Sequence, residues 1–158
     1  MITSYARRSP PPPPKPPNRL LPPPSGLDDL PPQVAGDWQP LQPEHAAEHL
    51  TLHEAQAWCR WAGRRLPTEV EWECAAVAGA SMGFAWGEVW EWTASSFRPY
   101  PGFAADPWRD YSQPFFGRHK VLRGASFATR LRLRSARFRN FAPPETDDLF
   151  CGFRSCAA

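Results

Sequence analysis

The sequence predicts an α+β domain of irregular, loop-rich build over residues 44–158, preceded by a proline-rich segment over residues 1–43. Three observations predict it. Fourteen of the 21 prolines fall in residues 1–43. Proline lacks the N–H and clashes with the preceding turn, so that segment is no regular helix or central strand. Two capping boxes then follow closely, each ahead of a helical run closed by glycine. Beyond Gly79 a glycine or proline recurs every few residues, which leaves room for short strands and loops.

The first element is the tail. Pro10–Pro14 and Pro22–Pro24 favour polyproline II, which has no internal hydrogen bonds, so residues 1–43 read as disordered. Docking into an SH3-type groove is the sharper reading and a plain linker the simpler one. The first helix starts at Thr51, whose hydroxyl suits the Glu54 N–H while Glu54 reaches back. Leu52, Ala55, Cys59 and Ala62 recur at helical spacing and Gly63 ends the run. Pro67, Thr68 and Glu71 open a second helix that continues to about Ala78 and stops at Gly79. Further on, Arg130-Leu131-Arg132-Leu133-Arg134 alternates strictly, as a strand with one cationic and one apolar face does. A last short strand near Phe150–Arg154 closes the domain.

The bulk numbers suit one folded domain. Hydrophobic content is 42% and charged content 22%, enough to bury a core. Six tryptophans (Trp58, Trp61, Trp72, Trp86, Trp90 and Trp92) read as that core, each burying a large apolar area. No run of 18 apolar residues exists, and no apolar stretch follows Arg7 and Arg8, so neither a membrane span nor a secretory leader is expected. Four cysteines are too few for a disulfide scaffold; a reduced, cytoplasmic chain with Cys151 and Cys156 as packing thiols is the expectation.

The net charge of +2 hides a local bias. Residues 118–139 carry eight lysines and arginines and no acid. Their alternation with leucine, and the acids available elsewhere, favour internal salt bridges plus a site for an anionic small molecule over nucleic acid. His45, His49 and His53 lie at i, i+4 and i+8, a metal-ligand spacing on a continuous helix. The capping box at Thr51 interrupts that helix, which leaves them as exposed or capping residues.

Four stretches carry a resemblance together. They are Ala57–Glu73, Trp86–Thr93, Leu122–Phe127 and Gly152–Arg154. The set resembles the formylglycine-generating enzyme/sulfatase-modifying factor superfamily, whose fold is a C-type-lectin variant with little regular structure. Formylglycine-generating enzymes carry two copper-binding cysteines shortly after the motif that Arg123-Gly124-Ala125-Ser126 matches. Residues 127–134 hold none, and a thiolate copper site needs thiols. A formylglycine-generating oxidase is therefore the weaker reading.

Phe97–Phe103, Asp106–Ser112, His119–Arg130, Arg137–Phe141 and Phe150–Ala157 resemble instead the non-haem iron synthases of ergothioneine and selenoneine. That resemblance implies Fe(II), O₂ and the joining of a sulfur or selenium donor to hercynine. Hercynine carries a quaternary ammonium, which aromatic faces bind, and a carboxylate, which Arg or Asn binds. The resemblance places part of that site at Asn140 and Phe141, with Arg137 and Arg139 beside them, and offers Tyr100 as a proton or electron donor. It also allows calcium near Glu88 and Glu91, although Glu88 replaces the family's Asn. In such synthases the iron ligands lie mainly in an N-terminal helical domain. Residues 1–43 contain no histidine, so that iron-binding domain is expected to be missing, and the start of the lectin-like domain is expected to be missing too. The implied whole is the C-terminal portion of a synthase, inactive alone and served by a separate iron-binding domain or subunit. A non-catalytic lectin-like binding module is the alternative.

Overall fold

The computed structural model describes residues 44–108 and 110–158, together with the backbone of residues 33–34 and 37–38. Expectations for the rest of the proline-rich segment lie outside the described residues. Within it, β1 (Gln33–Val34) and β2 (Asp37–Trp38) form a two-residue antiparallel ladder.

Both helices form where their caps predict. α1 spans Leu52–Trp61 and α2 spans Glu69–Ala78. Thr51 accepts the Glu54 N–H at 3.2 Å while Glu54 Oε2 accepts the Thr51 N–H at 2.8 Å, and Thr68 and Glu71 repeat the exchange with the same distances. Each box satisfies orphan N–H groups of the first turn. Gly63 has φ +63°, the left-handed turn that L-residues resist, and it releases the chain from α1 into β3 (Arg64–Arg65).

The centre is a four-stranded sheet. β4 (Trp90–Ser96) and β5 (Lys120–Gly124) pair antiparallel, as do β5 and β6 (Arg139–Ala142). β7 (Cys151–Phe153) joins the other side of β4 in parallel, so the order is β6-β5-β4-β7. β8 (Cys156–Ala157) pairs with β3 in a separate antiparallel ladder.

The pleat sends alternate residues to opposite faces, and each face carries a helix. Trp92, Leu122 and Ala142 pack with Leu52, Ala55 and Cys59 of α1. Glu91 and Arg123 point the other way and meet Trp72, Glu69 and Glu73 of α2. The α2 side has its own apolar cluster of Trp72, Ala75, Ala76 and Phe84.

Trp72 and Trp92 are fully buried, and Trp58, Trp86 and Trp90 pack against the two clusters. Trp61 departs from the expectation. It is 52% exposed at the last turn of α1, with its ring 6.3 Å from that of Trp58. Cys59, Cys151 and Cys156 are buried thiols; Cys74 is exposed. No described helix is long and apolar enough to cross a membrane.

The alternating arginine–leucine run is a correction. Leu131–Leu133 forms one turn of 3₁₀ helix, and Leu131 and Leu133 are 81% and 61% exposed. The cause is Arg134. Its Nε donates to the Thr129 carbonyl at 3.0 Å and its Nη2 to the Ser126 carbonyl at 3.2 Å. Those bonds fold the run back on itself, and an extended strand would carry Arg134 out of their reach.

Candidate functional site

One rung of the sheet organises the α2 face. Gly152, Glu91, Arg123 and Arg139 stand side by side across β7, β4, β5 and β6. Arg123 and Arg139 are direct cross-strand partners, and like charges in that position repel. The first turn of α2 answers them. Glu69 holds Arg139 with two bonds of 2.7 Å and lies 3.4 Å from Arg123. Glu73, one turn on, accepts from Arg123 at 2.7 Å. The capping box thus fixes the helix start that places both carboxylates over two strands. This is the internal pairing that the basic run predicts, drawn from residues 54 and 70 positions apart.

Four of the five predicted substrate and donor residues gather on this face. Arg139 and Phe141 alternate onto it from β6. Phe141 stacks on Phe97 with centroids 4.0 Å apart, and the Arg139 guanidinium lies over Phe97 at 4.8 Å and over Tyr100 at 4.5 Å. Tyr100 Oη is 3.5 Å from Arg123 Nη2. Tyr100 and Arg137 both line a groove of about 450 Å³ beside α2. Asn140 is separated from them: the pleat turns it to the α1 face, in register with Leu122. Its Oδ1 accepts the Phe141 N–H at 2.9 Å.

An aromatic group extends from Phe141. Tyr111 and Phe115 lie 5.7 and 5.3 Å from it, and Trp108 lies 6.2 Å from Tyr111. Trp108 and Tyr111 are exposed, so ring faces remain open to a ligand. His119 sits 5.7 Å from Phe141 and 4.8 Å from Phe115. Burial lowers its pKa, and its Nδ1 finds no partner among the described residues. Sequence reasoning did not single out Glu69, Glu73, Phe97 or His119. The Glu69/Glu73 spacing of i, i+4 behind a capping box is the one signal that pointed to a shared helical face.

Glu91 shares the rung and Glu88 does not, and neither is free to serve as predicted. Glu91 is buried, accepts from Trp72 Nε1 at 2.7 Å and forms a two-point pair with Arg154 Nε and Nη2. A cation at Glu91 would have to displace Arg154. Glu88 is exposed, and its carbonyl accepts the Phe127 N–H at 2.8 Å. His49 precedes α1, as the capping box requires, and pairs its Nδ1 with the Asp147 carbonyl at 3.0 Å. Among the described residues no three His, Cys, Asp or Glu side chains converge to hold a metal ion. The described donor set does not fit the iron that the synthase resemblance implies.

The family model of the sulfatase-modifying factor enzyme 1-like domain matches residues 31–89 and 82–158. A hercynine oxygenase from Mycolicibacterium smegmatis is 33% identical, covering 75% of this chain and 39% of its own length. One from Mycolicibacterium thermoresistibile is 32% identical over 75% of this chain and 37% of its own. A formylglycine-generating enzyme from Streptomyces coelicolor is 29% identical over 54% of this chain and 43% of its own. The chain therefore spans under two fifths of the length of the hercynine oxygenases that it matches. On the family match and the sheet that carries its motifs, the chain belongs to the sulfatase-modifying factor enzyme 1-like domain family.

Proposed function

We propose that this chain is the C-terminal, substrate-side portion of a hercynine-acting oxygenase that forms a C–S or C–Se bond, with a C-type-lectin-like fold completed by further segments. The observation that carries the reading is the gathering of Tyr100, Arg139 and Phe141 on one face of the sheet, next to the open rings of Trp108 and Tyr111. Similarity to hercynine oxygenases supports it.

The roles follow from the chemistry. The faces of Trp108, Tyr111 and Phe141 hold the quaternary ammonium by cation–π attraction. Arg137 is exposed, and its guanidinium has no partner among the described residues, so it is the cation available to the carboxylate. Arg139 already answers Glu69; its part is to present a flat, charged surface that fixes the Tyr100 ring. Tyr100 places its phenolic oxygen 3.5 Å from Arg123 Nη2 at the edge of the groove, as a donor to the reacting centre. Iron ligands come from residues outside the described set, in a separate domain or subunit, so the chain alone does not turn over.

Titrating hercynine into the chain and reading tryptophan fluorescence tests this. Saturable quenching is expected, and Phe141→Ala should weaken it by about tenfold, the upper range for a partly exposed cation–π contact. Histidine, which lacks the three methyl groups, should bind more weakly. No binding at millimolar hercynine, or equal binding of histidine, refutes the site. Hercynine-dependent O₂ uptake by this chain with added Fe(II) refutes the claim that it is incomplete.

A further inference from the structure

We infer that the groove beside α2 is a binding site for a small aliphatic carboxylate. This goes beyond the hercynine reading and shares Tyr100, Arg123 and Arg137 with it. The groove has a volume of about 450 Å³, in the range of small-molecule sites. One wall is the outer face of α2: Val70, Cys74 and Val77 recur at helical spacing, and all three are exposed. Exposed apolar residues on consecutive turns of a short helix are unusual unless something covers them. From Val70 to Val77 the helix rises about 10 Å, room for a short hydrocarbon stem.

The polar side of the groove is cationic. Its charged lining residues are Glu73, Arg123 and Arg137. Glu73 is committed to Arg123 at 2.7 Å, which leaves one positive charge over. Arg137 supplies it at the surface, with no side-chain partner among the described residues. Arg123 is 1% exposed, and its Nε has no acceptor among the described residues. That N–H is sealed from solvent, so Arg123 shapes the groove without offering a ligand a donor. Tyr100 adds a phenolic hydroxyl. An apolar wall facing an uncompensated cation and a phenolic hydroxyl fits a monocarboxylate with an aliphatic stem. It disfavours an amine, which Arg137 repels.

Cys74 reports on occupancy. It lies in the groove, and it is the exposed member of four cysteines whose others are buried. The full chain is treated with N-ethylmaleimide under native conditions, and alkylation of Cys74 is followed by peptide mass spectrometry. Hexanoate should slow the reaction saturably, while hexylamine should not. Arg137→Gln should raise the half-protecting concentration about tenfold, the loss expected for one charge-assisted contact. Val77→Glu, which adds an anion to an exposed wall position, should abolish protection. Saturation-transfer NMR on the hexanoate methylenes reads the same contact without the thiol. Equal protection by hexanol and hexanoate, unchanged protection in Arg137→Gln, or no saturation transfer overturns the proposal. Hercynine is absent throughout, so these outcomes leave the fluorescence titration as a separate test.

Discussion

Replacing Glu69 with Gln isolates the role of one bridging carboxylate. The substitution keeps volume and helix propensity and removes the charge that separates two cross-strand arginines. Arg123 and Arg139 would then face each other with only Glu73 left, and Glu73 reaches Arg123 alone. The side chains of Glu69 and Arg139 are each 12% exposed, so water cannot replace the lost partner well. Removing one member of a buried pair costs about 3–5 kcal/mol. Glu73 remains, and Arg139 keeps a bond to the Arg98 carbonyl at 2.6 Å, so the lower end, about 3 kcal/mol, is expected. With a urea slope of about 1.5 kcal/mol/M for a domain of this size, the unfolding midpoint falls by about 2 M. Fluorescence of the buried Trp72 and Trp92 reads the transition. Arg139→Met made together with Glu69→Gln should recover much of the loss, giving a coupling of about 2 kcal/mol in a double-mutant cycle. A midpoint shift below about 0.5 M, or strictly additive singles, would refute the bridging argument.

Acid stability and one glycine give two further tests. Arg65 and the Thr68 backbone hold the Glu71 carboxyl down to about 2 from its ordinary 4.5. Because the folded value is the lower one, this contribution is complete above pH 4.5 and is lost as pH falls from 4.5 toward 2. Glu71 is 35% exposed, so solvent screening limits the contribution to about 1 kcal/mol. Glu71→Gln should therefore flatten that part of the stability–pH curve, and an unchanged slope counts against it. Gly124→Ala combines φ +91° with a new methyl 3.2 Å from the Trp72 ring, and it should cost about 1–3 kcal/mol in chemical unfolding. A neutral outcome would refute the strain at this position.

Local chemistry made the helices legible. A capping box acts within four residues, so Thr51/Glu54 and Thr68/Glu71 mark their helix starts without tertiary help. The 130–134 run misled because alternation reports a pleated face only if a neighbouring strand exists; there the Arg134 guanidinium found carbonyls in the preceding loop instead. Of the candidate site, the sequence offered residues but not their arrangement. Tyr100, Arg139 and Phe141 could be named from resemblance. That Arg139 answers Glu69 could not, since the two lie 70 positions apart and meet only when α2 covers β5 and β6. The pleat also decides that Asn140 parts from its neighbours, and register of that kind is set by the assembled sheet.

The parallel pairing of β7 with β4 has a consequence for biosynthesis. Trp90 pairs with Cys151, so β4 leaves the ribosome with one edge open and waits for a partner near the end of the described chain. At ordinary elongation rates that wait is on the order of several seconds. Through it, the Leu50 N–H lacks the Cys151 carbonyl and Glu91 lacks Arg154. The nascent domain therefore passes through a stage with an unpaired strand edge and an unneutralised carboxylate near its core. That stage is where chaperone dependence and aggregation during expression should concentrate.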